Sequence, residues 1–329
     1  MDWFRLLAAN TGISDERCIV AVHREGSAVD AALVLERRRR ALHAPPTREI
    51  GSLANFYSCL YRPVVAAGRD IAVVRTLVGG AARAIAATDL FDLLALPDDP
   101  ALLAAIEDGF RDAGLWTARY EGFGNWFESV GADDYESYLA RRPPMLRNLL
   151  RRKQRQADRA AVRFDVSGGD GDVERAIAAY EAVYRTSWKI EEPHAGFMPA
   201  LIRMAAARGS LRIGVAYLGE RPIAGQVWLV EQKCATIYKL AHDEALPKIS
   251  PGSLLTAAMM RHVIEFDRVA EVDFGWGDDP YKQLWLAQRR VRWGILAAKP
   301  TTMRGLAAGL RHVVMPRALA PLRRFFGRR

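Results

Sequence analysis

The amino-acid sequence predicts a mixed α/β fold of the α+β kind, divided into two domains. The chain has 329 residues, which is enough for two domains that each bury a core. Half of the residues are hydrophobic and about a quarter are charged, a balance typical of soluble globular proteins. Along the chain, short apolar runs with strand composition alternate with segments of helical periodicity. These three observations favour a folded α+β protein.

The first half of the chain has the weaker secondary-structure pattern. Two short runs, ERCIVAVHR and VDAALVLERRR, have the composition of strands. The stretch EIGSLANFYSCLYRPV alternates apolar and polar residues, and we predict it as another strand at the centre of a sheet. Helical spacing then appears at residues 71–87 and 101–113. We assign residues 1–132 to an N-terminal domain.

A basic segment follows, at residues 133–165, and we predict it as a bridge of one or two helices. Between Arg141 and Arg163 there are nine Lys or Arg residues and a single acid. Pro143 and Pro144 break or restart the helix within it. The charge run is explained either by a solvated helix face or by a surface for phosphate-rich partners.

The second half, residues 166–300, has a clear order of elements. Helical periodicity predicts two helices, at residues 173–188 and 197–208. Three strands with short turns follow within LRIGVAYLGERPIAGQVWLVEQKCATIYKLAHD and predict an antiparallel meander. After the meander come a helix, a strand at AEVDFGW, a short helix and a last strand. This order of helices and strands is the most informative feature of the sequence.

The C-terminal tail, residues 301–329, is basic and amphipathic. From Arg304 to Arg329 it has seven arginines and no acid, interleaved with apolar residues that include Phe325 and Phe326. Reversible contact with an anionic membrane through residues 304–329 and a packed or disordered end both fit this pattern.

Several classes of site lack sequence support. The three cysteines are widely spaced without a CxxC motif, and no histidine pair has metal-ligand spacing, so we predict neither a disulfide framework nor a metal site. Motifs of serine hydrolases, phosphate-loop enzymes and dinucleotide-binding proteins are missing. The odd cysteine count and the lack of a signal-like or membrane-spanning run predict a cytoplasmic protein, with the inner face of the membrane as an option.

Two strand-to-helix junctions concentrate residues that can carry chemistry. In DFGWGDDPYKQLW, Gly275 and Gly277 leave backbone uncovered beside a ligand, and strand alternation predicts Val272, Phe274 and Trp276 on one face. The other junction contains Ser250-Pro251-Gly252-Ser253. This stretch is either an ordinary helix start or a site where unpaired backbone N–H groups bind phosphate.

Short motifs follow one another in a characteristic order in this half of the chain. They are Tyr238-Lys239, Asp243, Ser250-Pro251-Gly252, Asp273-Phe274-Gly275 with Gly277, and Tyr281-Lys282. Together with the order of elements, they resemble the C-terminal half of the GNAT acyltransferase superfamily, in its double-domain FemAB-like or CelD-like branch, also described as BioF2-like. The resemblance covers residues 130–297, and residues 15–130 only by the order of elements. It implies two tandem GNAT-like domains, each a mixed, largely antiparallel sheet flanked by helices, with the second domain catalytic.

The resemblance also implies roles for particular residues. An acyl-CoA would place its pyrophosphate at Ser250, Pro251, Gly252 and Ser253, beside Tyr238 and Lys239. Lys282 would stabilise negative charge, as a lysine does in FemX-type enzymes, and Tyr281 would act as an acid. Asp243 or Asp273 would accept the amine proton, through water if needed. His242, next to Asp243, is either a solvent-facing residue at a strand end or a titrating group.

The function implied is that of an N-acyltransferase. It would move an acyl group from acetyl-CoA or another acyl-CoA, without a metal, to an amine of a small molecule or of an envelope or polysaccharide precursor. A second possibility is an aminoacyl-tRNA-dependent transferase of the FemX kind, in which the basic bridge would hold the tRNA backbone. A third is a non-catalytic scaffold of an envelope polysaccharide complex.

Overall fold

The structure, a computed structural model, describes residues 1–40, 47–85, 87–131 and 134–315. It divides into two compact units. Unit 1 consists of Met1–Gly124 with Val291–Arg329, and unit 2 of Asn125–Arg290. The segment predicted as a bridge, residues 133–165, contributes its helices to unit 2.

Helices and strands alternate in the first part of the chain. In chain order the elements up to residue 131 are α1 (Asp2–Asn10), a 3₁₀ turn (Asp15–Arg17), β1 (Cys18–Glu25), β2 (Ala28–Arg40), β3 (Thr47–Ser52), β4 (Val64–Val65), α2 (Ala72–Ala84), β5 (Leu90–Leu96), α3 (Pro100–Asp112) and β6 (Trp116–Ser129).

The remaining elements begin after residue 134. They are α4 (Tyr135–Ala140), α5 (Pro144–Arg159), β7 (Val162–Ser167), α6 (Val173–Arg185), α7 (Phe197–Ala207), β8 (Leu211–Leu218), β9 (Arg221–Glu231), β10 (Cys234–His242), α8 (Pro251–Glu265), β11 (Glu271–Asp273), α9 (Lys282–Trp285), β12 (Gln288–Ala298), α10 (Met303–Gly309) and a π-helical turn (Leu310–Val314).

Unit 1 is a mixed sheet covered by helices. Its strands follow the order β1-β2-β3-β5-β12, all antiparallel except the parallel pair of β3 and β5, and β4 pairs with the side of β2. The helices α2 and α3 contribute apolar residues at helical spacing to the core, among them Val74, Val78, Ile106 and Phe110. The two predicted helices and the two predicted N-terminal strands of this unit are therefore confirmed.

One sequence prediction in unit 1 is wrong. The stretch EIGSLANFYSCLYRPV does not form one long central strand, because β3 ends at Ser52 and only Val64–Val65 pairs again, with β2. Leu53, Ala54, Tyr57 and Tyr61 lie between these strands and are buried. Tyr61 donates its hydroxyl to the carbonyl of Val34 at 2.7 Å. Burial of large aromatic residues in a loop produced the apolar pattern that resembles a strand.

Unit 2 is built on an antiparallel meander. The strands β7, β8, β9 and β10 pair in sequence, β11 joins β10 in parallel, and β11 pairs on its other side with residues 127–129 of β6. Neighbouring residues of a strand point to opposite faces. In β9, a Cβ at Gly225 would meet Tyr180 of α6, whereas Gln226 bonds Thr256 of α8. The helices α6 and α8 therefore cover opposite faces of the meander.

The predicted elements of unit 2 are confirmed, with two differences in length. The helix predicted at residues 173–188 ends at Arg185, and the strand predicted over AEVDFGW ends at Asp273. The predicted alternation beyond that point is also wrong, since Val272 and Phe274 are buried while Trp276 is exposed. Taken together, the structure confirms the predicted mixed α/β class with largely antiparallel pairing.

Part of the basic tail is described. Residues 303–314 form α10 and the π-helical turn, and exposed apolar side chains there include Met303 and Leu310. Residues 316–329, with Phe325 and Phe326, lie outside the described residues. Over the described part of the chain, no helix has the length and apolar character needed to cross a membrane.

Candidate functional site

The candidate site lies in unit 2, where two parallel strands stop pairing. β10 and β11 are joined only through residues 234–236 and 271–273. After this point β10 continues for six residues with a bulge at Tyr238, which the register with β9 skips between Ile237 and Lys239. β11 ends at Asp273. A bulge bends its strand and increases the local twist. Beyond Thr236 and Asp273, the described residues show no strand pairing between β10 and the segment after β11.

The segment after β11 is a glycine-dependent loop. Gly275 and Gly277 have φ of 61° and 95°, a region that residues with a Cβ rarely adopt. The loop ends where α9 begins, at Lys282. The two glycines are thus needed for the backbone conformation of this loop. The loop in turn places Lys282 next to the loop's own carbonyl groups.

Lys282 is the most constrained of the predicted catalytic residues. Only 5% of its side chain is exposed. Its Nζ donates to the carbonyls of Trp276 at 2.5 Å and Gly277 at 3.2 Å, and lies 3.1 Å from the carboxylate of Asp279. Asp279 is 60% exposed, so it is the partner that a ligand can replace most easily. A buried lysine held in this way can stabilise a negative charge that develops during a reaction.

Tyr281 lies at the entrance to the same loop. Its side chain is partly exposed, and its ring packs edge-on against Phe274 with the ring centroids 5.7 Å apart. Burial raises the pKa of the Tyr281 hydroxyl, and the negative charge of Asp279 raises it further. The hydroxyl therefore stays protonated near neutral pH and can donate a hydrogen bond.

Asp273 is buried, and its carboxylate accepts several hydrogen bonds. Its carboxylate accepts hydrogen bonds from Asn125 Nδ2 at 2.6 Å, from the N–H of Gly275 at 2.6 Å and from Arg290 Nη2 at 2.5 Å. Arg290 also bonds Glu271 at 2.7 Å. These contacts anchor the end of β11 and the start of the glycine loop.

Asp243 has a similar environment just after β10. It is buried, pairs with Arg221, and accepts a hydrogen bond from the N–H of Ala245 at 2.8 Å. Lys282 makes no hydrogen bond to Asp243 or Asp273 within the described parts of the chain. The structure therefore brings together Lys282 and Tyr281 through Phe274, while each aspartate is tied to an arginine.

The start of α8 forms the other side of the site. Ser250 has a left-handed backbone with φ of 54°, and no side chain caps the first turn of the helix. Gln226 Nε2 donates to the carbonyl of Gly252 at 3.0 Å and to Thr256 Oγ1 at 2.8 Å, which fixes this turn against β9. A helix start without a side-chain cap presents N–H groups and the positive end of the helix dipole.

His242 packs directly on this helix start. A Cβ at position 252 would lie 2.7 Å from His242 Nδ1, so glycine is required there unless the imidazole moves. The ring lies 4.4 Å from that of Trp188, and its Nδ1 is buried without a hydrogen-bond partner among the described residues. Burial lowers the pKa of His242, and so the imidazole is neutral at neutral pH. His242 is not the solvent-facing residue considered from the sequence.

A loop between α6 and α7 adds residues that the sequence reasoning missed. Lys239 Nζ pairs with Glu192 of this loop at 2.6 Å. Desolvation lowers the pKa of Lys189, and the charges of Lys239 and Lys282 lower it further, while Asp279 and Glu192 oppose the change. Three lysines therefore share one electrostatic environment. The signal available in the sequence was the acid- and lysine-containing stretch that follows the end of α6.

Two further kinds of reactive group in the described residues are the Cys234 thiol and the side chains that can ligate a metal. Burial, and next the charge of Asp273, raises the pKa of the Cys234 thiol to about 12, which keeps it from acting as a thiolate near neutral pH. Among the described residues there is no group of three or more His, Cys, Asp or Glu side chains placed to hold a metal ion.

Comparisons with known proteins agree with this geometry. Residues 145–283 match the family model of the acetyltransferase (GNAT) domain. No curated protein matches the chain in sequence. Among solved structures, FemX is similar with a TM-score of 0.59, 9% identity and 90% of each chain covered. L-PGS from Bacillus licheniformis is similar with a TM-score of 0.57 and 11% identity, covering 95% of this chain and 96% of the other.

A third similar structure is the C-terminal domain of a protein described as a lysylphosphatidylglycerol synthetase from Agrobacterium fabrum. Its TM-score is 0.57 at 15% identity, with 93% of this chain and 96% of that one covered. At these identities the likeness concerns the fold, and it extends over both units of the chain. The resemblance noted in the sequence is thereby confirmed: residues 145–283 match a GNAT domain, and the chain has a FemAB-like, double GNAT-type fold.

Proposed function

We propose that this protein is an N-acyltransferase that moves an acyl group from acyl-CoA to an amine of a small molecule or of an envelope or polysaccharide precursor. One observation carries the proposal most directly. Where β10 and β11 stop pairing, the uncapped start of α8 follows one strand and the buried Lys282 follows the other. Acyl transfer needs these two features, an anion-binding site for the donor and a group that stabilises developing charge.

The donor would bind with its pyrophosphate at the start of α8. This helix has 15 residues, long enough for a full dipole, and its first turn carries no side-chain cap. Gly252 lets His242 pack directly on this turn, and Gln226 holds the turn in place. Tyr238 at the bulge and Lys239 would line the path of the acyl-carrying arm along β10.

The transfer step forms one bond and breaks another. The nitrogen of the neutral amine attacks the thioester carbonyl carbon, a carbon–nitrogen bond forms, and the carbon–sulfur bond breaks to release CoA. Lys282 would exchange Asp279 for the developing oxyanion, and the Tyr281 hydroxyl would donate a proton to the departing thiolate. The proton lost by the amine would reach Asp243 or Asp273 through water, because both carboxylates already accept bonds from arginine and backbone donors.

Calorimetric titration of the protein with CoA and acetyl-CoA tests the donor site. The informative variant is Ser253→Asp, since a negative charge in the first turn stabilises a helix but repels a pyrophosphate. We expect binding to weaken by at least about tenfold while the melting temperature stays the same or rises. Ser253→Asn is the matched neutral control and should bind as the parent does. Absence of CoA binding, or equal binding by both variants, would overturn the acyl-CoA assignment.

A second candidate is an aminoacyl-tRNA-dependent transferase. It is favoured by the exposed arginines of α5, since Arg151, Arg152 and Arg155 line an open groove. Binding to RNA phosphates would be strongly salt-dependent, with a large loss of affinity between about 50 and 200 mM salt. A protein that binds tRNA in this manner and does not bind CoA would establish this candidate in place of the first.

A further inference from the structure

The basic helix α5 contains arginines without carboxylate partners. Elsewhere in unit 2, arginines form ion pairs, as Arg212 does with Asp267 at 2.5 Å. In the part of the chain that the structure describes, no carboxylate lies within 4.0 Å of the guanidinium groups of Arg151, Arg152 or Arg155. Asp158, the one acid of this segment, accepts instead from Gln154 at 2.8 Å. These three cations are exposed and available to an external anion.

The same arginines line a groove with an apolar floor. The groove has a volume of about 640 Å³ and lies between α5 and α9. Its cationic edge is Arg151, Arg152 and Arg155, and its other lining residues are Met145, Leu146, Asn148, Leu149 and Leu284. The side chain of Met145 is 62% exposed, a large fraction for an apolar residue. Guanidinium groups and exposed aliphatic side chains therefore meet in one concave surface.

This combination selects a particular ligand chemistry. A guanidinium group binds phosphate oxygens in a bidentate manner. A small inorganic anion would make no use of the methionine and leucine floor. Single-stranded nucleic acid is bound with aromatic platforms for its bases, and none of the described residues that line this groove is aromatic. An anionic amphiphile, with a phosphate head and an aliphatic body, matches both parts of the lining.

We propose that the α5 groove binds the headgroup of an anionic phospholipid and docks unit 2 on an anionic membrane surface. The phosphate would lie against Arg152 and Arg155, and the aliphatic part against Met145, Leu149 and Leu284. Arg151 and the exposed Arg159 of the same helix would add long-range attraction to such a surface. This inference does not depend on the acyl-transfer proposal, since it uses a different element and a different ligand.

Vesicle co-sedimentation of the full chain tests this membrane-docking proposal. One set of vesicles contains phosphatidylcholine alone, and the other contains phosphatidylcholine with phosphatidylglycerol. The groove variant is Arg152→Gln/Arg155→Gln. Its matched control is Arg175→Gln/Arg185→Gln, which removes the same charge from exposed positions of α6 in the same unit. We expect binding to the anionic vesicles only, reduced about 30-fold in the groove variant and by no more than about twofold in the control.

A further variant, Met145→Gln, tests the apolar floor without changing charge, and it should weaken vesicle binding several-fold. An equal loss in the groove and control doubles would mean that overall charge, including that of the basic tail, drives the contact, and it would overturn the proposal. So would the absence of binding to anionic vesicles. Binding of a homopolymeric RNA that depends on Arg152 and Arg155, with no vesicle binding, would assign the groove to nucleic acid instead.

Discussion

The two strand-to-helix junctions of unit 2 begin in the same way. At the end of β10, Asp243 accepts a hydrogen bond from the N–H two residues ahead and pairs with Arg221. At the end of β11, Asp273 does the same with the N–H of Gly275 and pairs with Arg290. In both places a buried aspartate stops the strand and turns the chain by bonding its own backbone.

The junctions then diverge. The first leads to the long helix α8, whose start has no side-chain cap, while the second leads to the four-residue helix α9 with the buried Lys282. The comparison shows that the aspartates shape the chain in both junctions. The features that differ, free N–H groups in one and a fixed ammonium in the other, are the ones suited to bind a donor and to stabilise charge.

The largest effect on activity should come from replacing Lys282, the buried ammonium group that only the second junction has. Replacing Lys282 by Ala removes the fixed positive charge, and we expect kcat/KM for acyl transfer to fall by about 10²–10³. Lys282→Arg keeps the charge but not the geometry and should retain part of the activity. Steady-state kinetics measure the effect, with circular dichroism to verify folding. Asp279→Asn is the matched control, since it alters only the exposed partner and should change the rate less. Unchanged rates in Lys282→Ala would remove this residue from the mechanism.

The second prediction separates the two aspartates by stability. Asp273→Asn leaves a half-buried Arg290 with Glu271 as its remaining carboxylate partner, and we expect the free energy of unfolding to fall by about 2–3 kcal/mol. Asp243→Asn should cost about 1 kcal/mol or less, because the side chain of Arg221 is mostly exposed and solvent screens it. Urea unfolding of both variants measures the difference. Equal losses of unfolding free energy in the two variants would contradict this prediction. They would show that the exposed Arg221 and the more buried Arg290 stabilise their junctions to the same extent.

The third and smallest prediction concerns His242 beside the start of α8. Burial holds the pKa of this imidazole below 6.5 in the folded protein, so the unfolded chain binds the proton more readily. Stability should therefore rise with pH up to about 6.5 and be constant for this group above it. Urea midpoints measured across this range for the parent and for His242→Gln test this, and the variant should show a flatter rise. A parallel dependence in both proteins would mean that His242 is not the group responsible.

Much of unit 2 was predictable because its signals are local. Hydrophobic periodicity identified α6, α7 and the meander of β8 to β10, and the proline at position 251 marked the start of α8. Unit 1 was less predictable. Tyr57 and Tyr61 are buried in a loop, and sequence periodicity cannot distinguish such buried loop residues from the residues of a strand.

Part of the candidate site was predictable from the sequence because its signals are local. Glycines 275 and 277, Lys282 and the helix start at Ser250 belong to short motifs. Asn125 and Arg290, which hold Asp273, are 148 and 17 residues away from it along the chain and gave no signal. Lys189 and Glu192 were missed because the loop between α6 and α7 meets β10 only in three dimensions.

The sequence by itself determined the order of helices and strands in unit 2, the glycine-dependent turn after β11 and the excess of positive charge on α5, since each depends on residues close together in the chain. Tertiary structure alone decided that Asp243 and Asp273 pair with arginines and that His242 packs on Gly252. It also decided that Arg151, Arg152 and Arg155 have no carboxylate partner among the described residues. The physical reason is that burial, ion pairing and pKa depend on which distant side chains share a small volume, and local patterns do not specify those neighbours.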